Sequence, residues 1–263
     1  MKKLPFIIRW ICSIFGLSPG QLYRNMCGIP LFLSDLLKFR REHAKCDQFG
    51  RMTLSPVLGD RYEQPGVAGG HYFHQDYLVA RRIFIASPHR HIDVGSRIDG
   101  FIAHLGVFRE VEVLDIRKLD NCIPRMTFLQ CDLTRLPEGL LNACDSLSCL
   151  HALEHFGLGR YGDPIEYYGH TKAFVNMTRI LKVGGTMYFS VPIGPQRIEF
   201  NAHRVFSLRF LLDLIVDSFE IIMFSYVDDN GQLHEDCPLS DESIQNSFGC
   251  TYGCGIFELK KLR

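Results

Sequence analysis

The stretch His91-Ile92-Asp93-Val94-Gly95-Ser96-Arg97-Ile98-Asp99-Gly100 decides the fold of this chain. Strand-like text runs straight into Gly95. A glycine at that point lets the chain turn sharply and brings backbone N–H groups close to a ligand with no Cβ in the way. Outward from it, Val111-Glu112-Val113-Leu114-Asp115 reads as a second strand that ends in an acid 20 residues after Gly95. That spacing fits a strand, a turn, a helix and a second strand whose last carboxylate stands at the ligand-binding edge. Gln130-Cys131-Asp132-Leu133, Leu153-Glu154-His155 and Leu181-Lys182-Val183-Gly184-Gly185 follow in turn. Each is weak alone, but their order describes alternating strands and helices.

The periodicity around this stretch predicts the remaining elements. Helical text from His71 to Ala86 closes at Ser87-Pro88, and short helices are expected over Gly100 to Leu105 and near Leu136 to Ala143. Strands are expected at His91 to Val94, Val111 to Ile116, Met126 to Cys131, Ser146 to Leu150 and Thr186 to Val191, with a helix from about Tyr167 to Leu181. Alternation at this pitch implies a parallel sheet with right-handed crossovers. The tail departs from it: a helix (Ser207 to Val216), a strand (Phe219 to Tyr226), a polar loop (Asp228 to Ser247) and a last strand (Thr251 to Lys260) that pairs antiparallel. Residues 1–70 read as a helical and irregular extension, with a helix over Ser34 to Lys45 and a Gly- and Pro-rich loop over Gln48 to Gly70; residues 71–263 form the α/β domain.

Composition bounds the function. The chain has 263 residues, enough for a sizeable core, and 46% hydrophobic with 22% charged residues is ordinary for a globular protein. Its 29 basic residues balance 29 acidic ones, so no global field favours nucleic acid as a partner. Ten cysteines without a CxxC pair are the pattern of free thiols in a reducing compartment, and a cytoplasmic protein is expected. No metal site is expected: His71, His74 and Asp76 lie on helical text with no fourth partner. The segment 1–17 carries Phe6, Ile7, Trp10, Ile11 and Ile14 interrupted by Arg9. It reads as an amphipathic helix packed on the body, with an interfacial membrane helix and a cleaved signal as alternatives.

The strand-end acids carry the ligand chemistry. Asp115 is placed to accept hydrogen bonds from both hydroxyls of a ribose, and Asp132, at the end of the third strand, to reach the exocyclic amine of an adenine. As structural residues they would merely cap their strands. Two further stretches give the pattern a family likeness: Asp145-Ser146-Leu147-Ser148-Cys149-Leu150-His151-Ala152-Leu153-Glu154-His155, and Met177-Thr178-Arg179-Ile180-Leu181-Lys182-Val183-Gly184-Gly185-Thr186-Met187-Tyr188-Phe189-Ser190-Val191-Pro192.

Over about residues 71–260 the chain resembles the class I S-adenosylmethionine-dependent methyltransferases, and more narrowly a branch catalogued as domain of unknown function 268. The resemblance implies a Rossmann-like, mostly parallel sheet of seven strands with an antiparallel last strand, and S-adenosylmethionine as cofactor. By position it assigns Asp93, Gly95, Ser96 and Arg97 to the first cofactor motif, Asp115 and Ile116 to the ribose, Asp132 and Leu133 to the adenine, and His151 to the floor beside the methionine end. Arg97 stands where the usual turn has a glycine, and Asp99 where another is often found. The Arg97 guanidinium could hold a carboxylate through paired hydrogen bonds or turn outward to solvent.

Methyl transfer depends mainly on aligning acceptor and methyl, and an oxygen acceptor also needs a base. His155, His151 and His203 are the candidates, with Glu154, Tyr161 and Asp163 nearby; each histidine alone is as well explained as a hydrogen-bonded structural residue. The glycine-rich, aromatic and charged loop Phe156 to Pro164 suits a substrate lid. A small-molecule or sugar-containing acceptor, methylated at oxygen, is the leading expectation. A cofactor-binding relative without catalysis, acting as a regulatory partner, is the alternative. A nicotinamide or nucleotide-sugar enzyme is disfavoured by the late antiparallel hairpin.

Overall fold

The computed structural model describes residues 12, 15–16, 18–45, 50–121 and 123–263. The helix expected within residues 1–17 lies outside the described residues. The chain separates into two compact units, Met1–Val67 and Ala68–Arg263. In the first, helix α1 (Pro19–His43) is far longer than the Ser34 to Lys45 helix the sequence predicts. Ser18 caps it by accepting from the Gln21 N–H, and Pro19 stands in its first turn, where a missing N–H costs nothing. No described helix is long and apolar enough to cross a membrane.

The second unit begins with α2 (Gly70–Ala86). Ser87, at φ 46°, returns its N–H to Ile83 O, and Pro88 follows to stop the helix. Then come β1 (His91–Val94), α3 (Ala103–Gly106), β2 (Val111–Asp115), β3 (Met126–Gln130), β4 (Cys144–Leu150), α4 (Gly169–Ile180) and β5 (Leu181–Ile193). A hairpin of β6 (Arg197–Glu199) and β7 (His203–Val205) precedes α5 (Leu208–Ile215), β8 (Phe219–Val227), β9 (Leu233–His234), α6 (Asp241–Asn246) and β10 (Gly253–Lys261).

The sheet has eight strands in the order β3-β2-β1-β4-β5-β10-β8-β9. β1 to β5 are mutually parallel, and β10 runs antiparallel to both β5 and β8. The expected count of seven is corrected to eight: the polar loop after β8 folds back far enough for Leu233 to pair with Val227 and His234 with Tyr226. That loop also contains α6, nucleated by Ser240 accepting from the Ser243 N–H, a cap hidden in polar text. The last strand is not at the edge but inserts between β5 and β8. The helix expected near Leu136 to Ala143 is absent; turns occupy that stretch, where Pro137 and Gly139 (φ 74°) oppose a helix.

Both faces of the sheet's central strands are buried. On one, Ile92, Leu147, Met187 and Phe189 pack with Phe174 and Met177 of α4 and Leu211 and Ile215 of α5. On the other, Val111, Val113, Tyr188 and Ile256 pack with Leu78, Val79 and Ile83 of α2. The result is a three-layer sandwich, in which the carboxyl ends of the parallel strands are the place for a ligand.

Candidate active site

A cavity of about 290 Å³ opens at the carboxyl edge of β1, β2, β3 and β4. Gly95 makes the turn after β1 at φ 72°, with its N–H donated to Leu114 O at 2.9 Å. A Cβ here would meet the Ala152 Cβ at 2.9 Å, so the turn needs glycine both for its dihedral and for the close approach of the β4 end. Behind the turn, fully buried Asp93 accepts from the Ser96 N–H (3.0 Å), the Ser96 hydroxyl (2.8 Å) and the Ser148 hydroxyl. Burial pushes its carboxyl up to about 7 despite those three donors. Asp93 and Ser96 therefore brace the turn from behind, and neither lines the cavity.

Of the residues singled out in the sequence, Gly95, Arg97, Asp115, Ile116, Asp132, Leu133, His151 and His155 border the cavity. Their side chains are not equally free. Asp115 accepts from the Arg117 N–H (2.8 Å), its Nε (2.9 Å) and its Nη2 (2.5 Å), and that guanidinium lies 4.6 Å over the Tyr161 ring. Asp132 turns one oxygen back to the Thr134 N–H at 2.9 Å. Arg97 points outward and clasps Asp99 through two hydrogen bonds of 3.0 and 2.8 Å, its guanidinium 5.5 Å from the Tyr72 ring centre.

At the other end a buried polar group forms around Glu154, which is 1% exposed. His151 holds it at 2.7 Å through Nδ1, and His155 Nε2 lies 3.7 Å from the same oxygen. His151 sits at φ 50°, a strained conformation for a residue with a Cβ. Its N–H is donated to Ser190 O at 3.0 Å, which ties the end of β4 to β5. Burial opposes charge on His151, yet Cys254 and Glu154 raise its pKa well above the usual imidazole value. Burial likewise works against the Glu154 charge, but His151 pulls its pKa below the ordinary carboxylate range. His155 goes the other way: burial lowers its pKa, and its Nδ1–H donates to Ala202 O at 2.7 Å, leaving Nε2 as the basic nitrogen. The surroundings thus favour the charged form of His151, paired with Glu154, and the neutral form of His155. His203 stands apart from the cavity, packed on Tyr252 with Nε2 3.5 Å from Glu199.

The Phe156 to Pro164 loop supplies Phe156, Arg160, Tyr161 and Asp163 to the cavity wall. It is stitched rather than loose. The Asp163 carboxylate accepts from the N–H groups of Gly157 (2.8 Å), Gly159 (3.2 Å) and Tyr161 (3.2 Å). Buried Arg204 donates to the carbonyls of Glu154, Phe156 and Tyr167 from behind. Arg117 and Arg204 escaped the sequence reading, because an exposed-looking arginine gives no sign of where its guanidinium will land. From α2, Tyr72 reaches the cavity, whereas Gln75 is buried against Ser190.

This sheet order, with its cavity at the carboxyl edge of the parallel strands, defines the chain as having the fold of the class I S-adenosylmethionine-dependent methyltransferases. It belongs to the family described as Caenorhabditis protein of unknown function, DUF268, whose model matches residues 85–249. The structure is similar to that of Burkholderia thailandensis 1,6-didemethyltoxoflavin-N1-methyltransferase, crystallised with 1,6-didemethyltoxoflavin and S-adenosylhomocysteine. The TM-score is 0.52 and the identity 14%, over 72% of this chain and 79% of that one. The [4+2]-cyclase SpnF gives a TM-score of 0.52 at 15% identity, over 72% of this chain and 81% of that one. The N-methyltransferase NodS from Bradyrhizobium japonicum WM9 gives 0.51 at 8% identity, over 75% and 100%. No protein with a curated description matches the sequence. At such identities the likeness is one of fold.

Proposed function

We propose that the chain is a methyltransferase that takes S-adenosylmethionine as cofactor and methylates a small-molecule or sugar-containing acceptor at oxygen. The supporting observation is the convergence on one cavity of the Gly95 turn, the strand-end carboxylates of Asp115 and Asp132, and a buried Glu154 flanked by two histidines. The residues fit the cofactor: Asp115 and Asp132 offer acceptors to hydroxyls and an amine, with apolar Val94, Leu114 and Leu133 between them. When bound, the cofactor supplies a methyl group already activated on a sulfonium. The chain's own work is alignment, exclusion of water and removal of one proton. His155 takes that proton at Nε2, while Ala202 O fixes its ring and Glu154 stabilises the imidazolium that results.

Calorimetry with S-adenosylmethionine tests the cofactor end. The intact chain is expected to bind, and Asp115→Ala to weaken binding about 10- to 100-fold, the worth of hydrogen bonds to a charged acceptor. Unchanged affinity would remove the ribose assignment. The engagement of both Asp115 oxygens by Arg117 favours a second reading, a cofactor-binding relative without turnover. Arg117→Ala separates the two: if the clasp merely competes with the ligand, its removal strengthens binding. Binding without methyl transfer to any of a broad panel of hydroxylated acceptors would favour the regulatory reading.

A further inference from the structure

Beyond Glu154, on the side of the sheet away from Asp115 and Asp132, three potential metal ligands meet. Among the described residues, one ligand atom each of His71, His151 and Cys254 lies within 4.8 Å of the other two. They come from the first turn of α2, the end of β4 and the start of β10, and strands β4, β5 and β10 are neighbours in the sheet. The His71 and His151 rings stack with centroids 5.2 Å apart. His151 is 7% exposed, and with Nδ1 committed to Glu154 its Nε2 is buried without a hydrogen-bond partner. Cys254 is fully buried, and its Sγ lies 3.8 Å from Gln75 Oε1 and 3.9 Å from Gly255 O, facing the two histidines. A buried polar nitrogen without a partner is costly, and a soft sulfur and two imidazoles around it are a donor set for zinc.

We propose that His71, His151 and Cys254 form a zinc site, with Glu154 orienting His151 from behind. Three protein ligands leave a fourth tetrahedral position for water or an acceptor atom, the arrangement of zinc sites that act chemically rather than structurally. A tetrahedral ion with nitrogen at about 2.0–2.1 Å and sulfur at about 2.3 Å sets its ligand atoms about 3.3–3.6 Å apart. Side-chain rotations that draw the three together by about an ångström complete the site. The Nδ1–H of His151 on a carboxylate is the contact that holds a ligating imidazole in the right tautomer. Cys254 binds as the thiolate and His151 through a deprotonated Nε2, both protons passing to solvent as the ion binds. His151 also borders the cavity, so the ion would sit at the acceptor end. There it would favour an acceptor hydroxyl or thiol that ionises on coordination, a consequence that rests on the methyl-transfer reading; the ion's binding does not.

The test uses the full chain, stripped with a chelator and titrated with Co²⁺ and then Zn²⁺. One Co²⁺ per chain is expected, with a near-ultraviolet thiolate-to-cobalt charge-transfer band that Zn²⁺ removes. Cys254→Ser should abolish the band. His71→Ala, at a half-buried position, should weaken Co²⁺ at least about tenfold, and Glu154→Gln about 10- to 100-fold. The far-UV spectrum of each variant, and S-adenosylmethionine binding by His71→Ala, report whether the fold survives. Stoichiometric cobalt without S-adenosylmethionine binding would sink the methyl-transfer reading and leave the metal site standing. No cobalt binding by the folded chain, or an undiminished band in Cys254→Ser, overturns the site.

Discussion

Along the carboxyl edge of the sheet, β1, β2 and β3 offer Gly95, Asp115 and Asp132 to the cavity from tight turns. The ends of β4, β5 and β10 instead bury His151, Ser190 and Cys254 against one another. In the first half the charged groups at the cavity's rim are met by residues close in sequence: Asp115 by Arg117, Asp132 by Thr134, Arg97 by Asp99. In the second the His151–Glu154 pair is local too, but the contacts that close around it are remote. Ser190 donates to Gln75 across 115 positions, and Cys254 approaches the same Gln75 across 179. A half built from local turns can be assembled by any chain with the right short motif. One built from remote contacts exists only when the whole sheet is in register, and it concentrates buried polar groups whose loss is costly.

The sharpest way to break this contrast is Glu154→Ala. It leaves His151 buried without its carboxylate, and about 3–5 kcal/mol of stability is expected to disappear, measured by denaturant unfolding. A loss below 1 kcal/mol would mean that the half around Glu154 is not held together by that pair. Next is Gly95→Ala, which forces a Cβ into a φ of 72° and within 2.9 Å of Ala152. About 1–3 kcal/mol should be lost, together with S-adenosylmethionine affinity, whereas affinity for Co²⁺ should not change. If cobalt binding fell in parallel, the two halves would not be separable.

The smallest effect concerns the brace behind the Gly95 turn. The folded-state pKa of Asp93, about 7, lies above its unfolded value near 3.8, so folding takes up a proton. Its contribution is greatest below about pH 4 and is lost as pH rises towards 7. Unfolding free energies measured across that window should decline by at least about 1.4 kcal/mol from this group, the equivalent of one pKa unit. Asp93→Asn should flatten the decline; an unaltered slope would show that another group causes it.

Much of the half around Gly95, Asp115 and Asp132 was legible because its signals are short-range. Gly95, Asp115 and Asp132 fall at strand ends that alternation and turn residues locate, and all three border the cavity. Asp93 was read as a ligand contact and proves to be a brace, because the sequence gives its position on β1 but not which side of the turn its carboxylate faces. The helix expected at Leu136 to Ala143 failed where Pro137 and Gly139 outweigh apolar spacing. The two-residue β9 was invisible because a polar loop carries no alternation. His151 and His155 were singled out, but as separate candidates. Their shared Glu154, and the neutral state of one beside the charged state of the other, depend on burial.

The sequence by itself determined the alternating architecture, the glycine turn and the acids at successive strand ends, since each follows from periodicity and spacing within a few tens of residues. Only the tertiary structure decided that His71, His151 and Cys254 meet, that Arg204 pins the loop, and that Arg117 closes on Asp115. The first two are contacts between residues far apart along the chain. They arise when β10 inserts beside β5 and α2 packs across the sheet, and no local pattern records where a side chain will lie once that has happened.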